Sequence, residues 1–197
     1  IIKLIAVSKS VDSEAVEALY NVGQRAFGEN RVQELRRKCA ELESLPLEWH
    51  FIGRLQKNKI NALIELSPAL IHSCDSLELA LAIDQRAQAK SKKLDVLLQI
   101  NSAKEDSKAG VMPEFALETY HQIQESCPNL RLKGVMSIGA HTDDVKNIQK
   151  SFESTYEIYE SLQPKGATIC SMGMSQDFEL AVQCGSNMLR LGGILFS

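Results

Sequence analysis

Short apolar runs alternate with longer amphipathic segments along the whole chain. The short runs are rich in β-branched residues, which is typical of buried strands, whereas the longer segments repeat their apolar residues at helical spacing. The pattern predicts eight strands, at residues 4–8, 25–28, 49–53, 70–73, 94–100, 132–138, 168–171 and 188–191. Helices are predicted between these strands, so the chain consists of repeated βα units.

Residues that favour helix ends lie at the boundaries of the amphipathic segments. Asp12 or Ser13 is predicted to cap the first helix, and Gly23 to terminate it. Asn30 is predicted to cap the second helix, whose charged run at 36–38 we interpret as a solvated face. Later helices are expected to begin at Pro113, at Asp143 or Asp144, and after Ser175, the last with Asp177 in its first turn.

The polar residues that follow the predicted strands indicate how the units close. Repeated βα units form either an open doubly wound sheet or a closed barrel, and both bind ligands at the carboxyl ends of their strands. An open sheet would concentrate polar residues at one point, but here they follow many different strands: Lys9, Asn30, Asp75, Asn101, Ser137, Ser171 and Arg190. Neither the Rossmann glycine pattern nor a P-loop occurs. We predict one α/β domain over residues 1–197, a single (β/α)8 barrel of the TIM type.

Composition limits the classes of partner and location. The 197 residues, 44% of them hydrophobic and 24% charged, fit one globular domain, and a net charge of −3 gives no long-range attraction to nucleic acid or membranes. No apolar run reaches the roughly 20 residues that cross a bilayer, and Ile1 does not open a signal peptide, although a segment removed upstream would be invisible. Scattered single cysteines and histidines predict a cytoplasmic protein without a metal site.

Lys9 ends the first predicted strand, within Ala6-Val7-Ser8-Lys9. One interpretation is a solvated lysine at the start of a loop, since exposed lysines are common. The other is a Schiff-base lysine, because a barrel mouth can desolvate the ammonium and yield the neutral amine that attacks an aldehyde. Lys9 alone leaves both interpretations open.

Gly192 and Gly193 follow the last predicted strand, where glycines let backbone N–H groups approach an anion closely. A hydroxyl from Ser171 or Ser175 could join them, and together these groups would hold a phosphate. The other interpretation makes the glycines a barrel-closing turn and Ser175 only a helix cap.

Four sequence strings occur in order, and two of them, Trp-His-Phe-Ile-Gly and Ser-Met-Gly-Met-Ser, are too long to recur together by chance. The four strings are Ala6-Val7-Ser8-Lys9, Phe27-Gly28-Glu29-Asn30, Trp-His-Phe-Ile-Gly-Arg-Leu-Gln-Lys-Asn-Lys at 49–59, and Ser-Met-Gly-Met-Ser-Gln-Asp at 171–177. Over residues 4–196 the chain therefore resembles the pyridoxal phosphate homeostasis proteins, the YggS/PROSC family.

The resemblance implies a barrel of the alanine-racemase type with pyridoxal 5′-phosphate (PLP) bound as a Schiff base on Lys9. It also implies that Arg190 faces the pyridine nitrogen, while the other cofactor-binding residues surround the phosphate: the amides of Gly192 and Gly193 and the hydroxyl of Ser171 or Ser175. A cationic arginine disfavours protonation of the ring, which becomes a poorer electron sink. Storage of the cofactor fits this arrangement better than versatile catalysis, and no catalytic residue is assigned.

The sequence departs from the family pattern at two places. The family normally has a helix before its first strand, whereas this sequence begins almost on that strand, so we expect the lower end of the barrel to be incompletely covered. Many relatives have Thr or Ser after the first glycine of the phosphate turn. Gly193 occupies that position here, and we expect one hydroxyl contact to the phosphate to be missing.

Two further residues have open roles. Lys108, in a loop after the strand that ends near Asn101, is a candidate for approach to the phosphate, or else an exposed lysine among acidic neighbours. His50 lies within a predicted strand, where we favour a hydrogen-bonded position lining the barrel over direct contact with the cofactor.

The function expected from the resemblance is PLP homeostasis: a protein that binds the vitamin B6 cofactor reversibly, without evident catalysis, with PLP-dependent apoenzymes as candidate partners. A small PLP-dependent amino-acid racemase is the alternative. Racemases of this fold use a second, mostly β domain and a partner subunit, and a missing proton donor costs about 10²–10⁴-fold in rate. A cofactor-free aldolase using Lys9 would be colourless. Without the second domain we expect a monomer.

Overall fold

The computed structural model describes residues 1–197 and contains a closed barrel of eight parallel strands in sequential order. The strands are β1 (Lys3–Val7), β2 (Ala26–Glu29), β3 (Glu48–Phe51), β4 (Leu70–Cys74), β5 (Leu94–Ile100), β6 (Leu130–Ser137), β7 (Ile169–Ser171) and β8 (Met188–Leu191). The last strand pairs with the first, so that Lys3 lies beside Met188 and Ala6 beside Leu191. The predicted TIM-type barrel is confirmed, and each strand lies where the apolar runs placed it.

Helices follow the strands and surround the barrel. They are α1 (Ser13–Asn21), α2 (Val32–Glu41), α3 (Ile60–Glu65), α4 (Leu77–Ala89), α5 (Ala116–Ser126), α6 (Val145–Leu162), α7 (Phe178–Gln183) and α8 (Gly193–Phe196). Short 3-10 turns at Lys57–Lys59, Pro113–Phe115 and Gln163–Lys165 accompany α3, α5 and α6. None of the helices combines the length and apolar character that crossing a bilayer requires.

The barrel has two ends, which differ in what lines them. We call the end where the strands begin the lower mouth, and the end where they finish the upper mouth. A small apolar cluster fills the lower interior: Ile5, Ala26, Leu70, Leu97, Met136 and Met188. The larger core lies between the outer face of the sheet and the helices. Polar side chains share the interior with the small cluster: His50 lies beside Leu70 near the lower mouth, and His72, Ser171 and Arg190 are also buried.

The predicted helix caps are confirmed for two helices and wrong for two. Asp12 Oδ1 accepts from the amide of Ala15 at 3.1 Å, and Asp144 Oδ1 from the amide of Lys146 at 3.0 Å. Asn30 is not a cap: Arg31 precedes α2 and makes no side-chain capping bond. The final cap prediction also shifts, because Asp177 precedes α7 rather than lying in its first turn.

The interpretation of residues 36–38 as a solvated face is wrong for Lys38. Its side chain is fully buried, with Nζ 2.8 Å from Glu29 Oε2, and it donates to the carbonyl of Ser8 at 2.6 Å. Lys38 lies three residues after buried Leu35 on α2, which is the spacing of one helix face. A lysine on that face reaches the carboxylate at the end of β2, and each charge is buried because the other neutralises it.

Gly53 is required by a close backbone approach just after β3. A Cβ atom at this position would lie 2.0 Å from the carbonyl oxygen of Asn30, so no side chain fits without displacing backbone. We expect Gly53→Ala to lower the free energy of unfolding by about 1–3 kcal/mol, as overpacking typically does. Urea denaturation measures this, with Gly193→Ala as the control because its Cβ meets no atom within 4 Å. Equal midpoints for the two variants would contradict the prediction.

Candidate functional site

The upper mouth brings together the two ends of the chain that carry the predicted site. Lys9 follows β1 and has an exposed side chain, and Gly192 follows β8. Because β1 and β8 are paired and parallel, both residues emerge at the same mouth, on adjacent strands. An amine from one end of the sequence therefore lies on the same side of the molecule as the glycine turn from the other.

Backbone amides converge at the turn after β8. The N–H groups of Gly192 and Ile194 both donate to Ser175 Oγ, at 3.3 and 3.4 Å. A Cβ at Gly192 would lie 3.2 Å from the carbonyl oxygen of Val7, so the turn packs tightly on β1, whereas the space around Gly193 is open. Convergent amides beside open space suit an anion. These residues fit a phosphate group.

Arg190 occupies the interior of the barrel directly before this turn. The residue is 3% exposed, and its guanidinium donates to Ser171 Oγ at 2.6 Å and to the carbonyl of Ser137 at 2.9 Å. No carboxylate forms an ion pair with it. Burial lowers the pKa of Arg190 to about 10, which still leaves the group cationic at neutral pH. A positive charge thus lies just below the upper mouth.

The two candidate serines occupy different places. Ser175 lies with the convergent amides of the β8 turn, whereas fully buried Ser171 lies inside the barrel and accepts from Arg190. Only Ser175 is placed beside the proposed phosphate turn, and it is not the cap of α7, which Asp177 precedes.

A buried network fixes the chain immediately before Lys9, and the sequence analysis missed it. The Ser8 hydroxyl donates to Glu29, whose carboxylate also pairs with Lys38, and Lys38 holds the Ser8 carbonyl. All three side chains are fully buried. The signal available in the sequence was Glu29 itself, because a carboxylate ending a buried strand needs a cation partner.

The structure shows the surroundings of Lys108 and His50, the two residues whose roles the sequence left open. Lys108 is 22% exposed in its side chain, donates to the carbonyl of Gly139 at 2.8 Å and lies 3.2 Å from Glu105 Oε2. It lines a cavity of about 190 Å³ at the upper mouth, together with Gln99 and Asn101. His50 is buried and hydrogen-bonded inside the barrel, as predicted. No group of three or more potential metal ligands occurs.

Comparison with known proteins identifies close relatives along the full chain. A family model described as alanine racemase, N-terminal domain, matches residues 2–197. The pyridoxal phosphate homeostasis protein of Helicobacter pylori is 58% identical over 196 residues, which span 100% of this chain and 87% of that protein.

Solved structures extend the likeness to three dimensions. PipY of Synechococcus elongatus, solved without PLP, is 36% identical and has a TM-score of 0.92, covering 100% of this chain and 93% of that one. The PLP-bound form of PipY has a TM-score of 0.88 and covers 100% and 92%. An alanine racemase of Clostridium difficile has a TM-score of 0.81 at 20% identity, and 52% of its chain is covered. This last likeness concerns the fold alone.

Proposed function

The chain belongs to the pyridoxal phosphate homeostasis proteins of the alanine racemase N-terminal domain family, and we propose that it binds PLP reversibly on Lys9 to keep the cofactor available. The PLP-bound structure of PipY supports this ligand, since PipY is 36% identical over the whole chain. The relatives' names support a role in homeostasis rather than in amino-acid turnover.

One observation carries the proposal: the amine of Lys9 and the amides around Gly192 emerge from paired strands at one mouth. PLP carries an aldehyde and a phosphate on one ring, so a protein that binds it covalently needs an amine and an anion pocket on the same side. Lys9 would condense with the aldehyde, forming a C=N bond with loss of water. Gly192, Gly193 and Ser175 would hold the phosphate.

Arg190 favours storage of the cofactor over catalysis. In this proposal its guanidinium would face the pyridine nitrogen, while Ser171 and the carbonyl of Ser137 hold it in place. A buried cation at this position opposes protonation of the nitrogen, which weakens the ring as an electron sink. We propose that PLP-dependent apoenzymes receive the cofactor, and that the protein itself turns over no amino acid.

A visible spectrum of the purified protein tests the proposal. Incubation with PLP is expected to produce an absorbance band that borohydride abolishes, and peptide mass mapping is expected to place the reduced adduct on the peptide that contains Lys9. A protein that stays colourless, or an adduct confined to other lysines, would refute the assignment. A chiral assay over many amino acids decides between carrier and racemase, because turnover at ordinary enzymatic rates, about 1–10³ s⁻¹, excludes a pure carrier.

Ser175 is expected to contribute to phosphate binding. Ser175→Ala removes the hydroxyl on which the amides of Gly192 and Ile194 converge, and we expect the dissociation constant for PLP to rise about tenfold, the effect of one hydrogen bond to a charged group. Absorbance titration measures the change. Ser126→Ala, at the end of α5, serves as the control and is expected to bind normally. Pyridoxal, which lacks the phosphate, should bind both variants equally. A comparable loss for pyridoxal would place Ser175 elsewhere in the site.

A further inference from the structure

A continuous chain of hydrogen bonds runs through the barrel from the lower mouth to Arg190. Glu48 Oε1 lies 2.8 Å from His50 Nε2, and His50 Nδ1 lies 2.8 Å from His72 Nε2. His72 Nδ1 is 3.2 Å from Ser171 Oγ, which accepts from Arg190 at 2.6 Å. We call these five residues the relay. It connects the solvent-accessible carboxylate of Glu48 with a cation that lies just below the upper mouth.

The strand register explains why these side chains meet. Glu48 and His50 are two residues apart on β3, so both face the same side of the sheet. His72 lies on β4, which is next to β3. Ser171 lies on β7, which is separated from β4 by β5 and β6. The contact between His72 and Ser171 therefore crosses the interior of the barrel. Ser171 and Arg190 belong to the adjacent strands β7 and β8.

The chemistry of the two ends gives the relay a single direction. A guanidinium only donates hydrogen bonds and a carboxylate only accepts them. Arg190 must therefore donate to Ser171 Oγ, and His50 Nε2–H must donate to Glu48. A neutral His50 then accepts at Nδ1 from His72 Nε2–H, and a neutral His72 accepts at Nδ1 from the Ser171 hydroxyl. With both rings neutral, each imidazole thus carries its hydrogen on Nε2.

The charges around the relay agree with this direction. Burial lowers the pKa of His50 and of His72, so both rings are neutral at neutral pH and each keeps one acceptor nitrogen. The hydrogen bond from His50 lowers the pKa of Glu48 to about 2, and Lys3 pairs with the same carboxylate. Glu48 is thus ionised at neutral pH, and it terminates the only chain of side chains that leads away from the buried guanidinium.

We propose that His72 and Ser171 are positioning residues for Arg190, held in one hydrogen-bond direction by Glu48 acting through His50. The inference deepens the proposed function and rests on it, because Arg190 is assigned there to the ring nitrogen of PLP. The relay orients the Ser171 hydroxyl so that its oxygen accepts from the guanidinium. Arg190 would thereby be held in position to face the ring nitrogen of PLP. A residue at the lower mouth thereby affects binding at the upper mouth.

Nitrogen NMR of the full-length chain labelled with ¹⁵N-histidine tests the direction of the relay. At neutral pH, with and without PLP, both His50 and His72 are expected to be Nε2–H tautomers. Each signal is assigned to its histidine by its loss from the variant in which that histidine is replaced. Glu48→Leu removes the acceptor-only end and is expected to raise the Nδ1–H form from undetectable to a measurable fraction. An Nδ1–H tautomer in the unmodified protein, or no change in Glu48→Leu, would overturn the proposal.

Two substitutions of His72 separate positioning from packing. His72→Asn keeps an acceptor oxygen near the position of Nδ1, so the dissociation constant for PLP is expected to stay within about twofold of the unmodified protein. His72→Leu fills the volume but has no acceptor, and is expected to weaken binding about tenfold. The opposite order, with Leu tolerated better than Asn, would show a packing role and refute the relay. If the unmodified protein takes up no PLP, the proposed function fails, while the tautomer measurement still decides the relay.

Discussion

Replacement of Lys38 by methionine is expected to lower the free energy of unfolding by about 3–5 kcal/mol, because it leaves the carboxylate of Glu29 buried without a counter-charge. The loss includes the hydrogen bond to the Ser8 carbonyl. One oxygen of Glu29, Oε1, already has no hydrogen-bond partner, so in this variant the hydroxyl of Ser8 would be the only donor to the buried carboxylate. Urea denaturation followed by circular dichroism measures the change.

Two control variants separate the effect of leaving the Glu29 carboxylate unpaired from the effect of losing the Lys38 side chain. Lys150→Met, on the exposed side of α6, is expected to leave stability unchanged. The double variant Glu29→Gln/Lys38→Met removes both charges and is expected to recover part of the loss, since replacing both partners of a buried pair is far less costly than removing one. A double variant less stable than Lys38→Met alone would show that the uncompensated carboxylate is not the cause.

Replacement of Lys9 by alanine is expected to abolish the borohydride-stable adduct and its absorbance band completely, while the unfolding midpoint stays unchanged. The amine is the only part of the site that would bond covalently to the cofactor, and its exposed side chain makes no hydrogen bond within the protein, so its removal costs no packing. Intact-protein mass spectrometry after PLP incubation and borohydride reduction measures the adduct.

A lysine elsewhere on the surface provides the matched comparison for Lys9. Lys150→Ala is expected to retain both the adduct and the absorbance band in full. Lys108 lies at the same mouth, bonded to Gly139 and Glu105, and is the competing amine. An undiminished adduct in Lys9→Ala, mapped to the peptide of Lys108, would transfer the assignment to that residue.

The strands were predictable because their signal is local. Each buried strand is a short apolar run, and a closed barrel followed from polar residues after many separate strands. Lys9 and the Gly192 turn were also located correctly at one mouth, since parallel strands share their carboxyl end. The function and ligand, in contrast, came from sequence strings rather than from periodicity.

The errors involve contacts between residues distant in sequence. Lys38 carries the same charge as its exposed neighbours, and only the partner at the end of β2 explains its burial. Asn30 resembles a helix cap by residue type, yet its carbonyl is packed against Gly53. The relay could be predicted only with knowledge of the strand register of the barrel, because His72 and Ser171 come from strands on different sides of the interior. No pattern within a single segment of the sequence predicts these contacts.

The pairing of β1 with β8 also orders events during synthesis. Lys9 is synthesised before the amides around Gly192, because it precedes them along the chain. In the proposed function, a nascent chain would therefore carry the amine before the phosphate-binding amides exist, and PLP would be held at both positions only once the barrel closes. Chains that stop before β8 would lack these amides, so we expect them to release PLP.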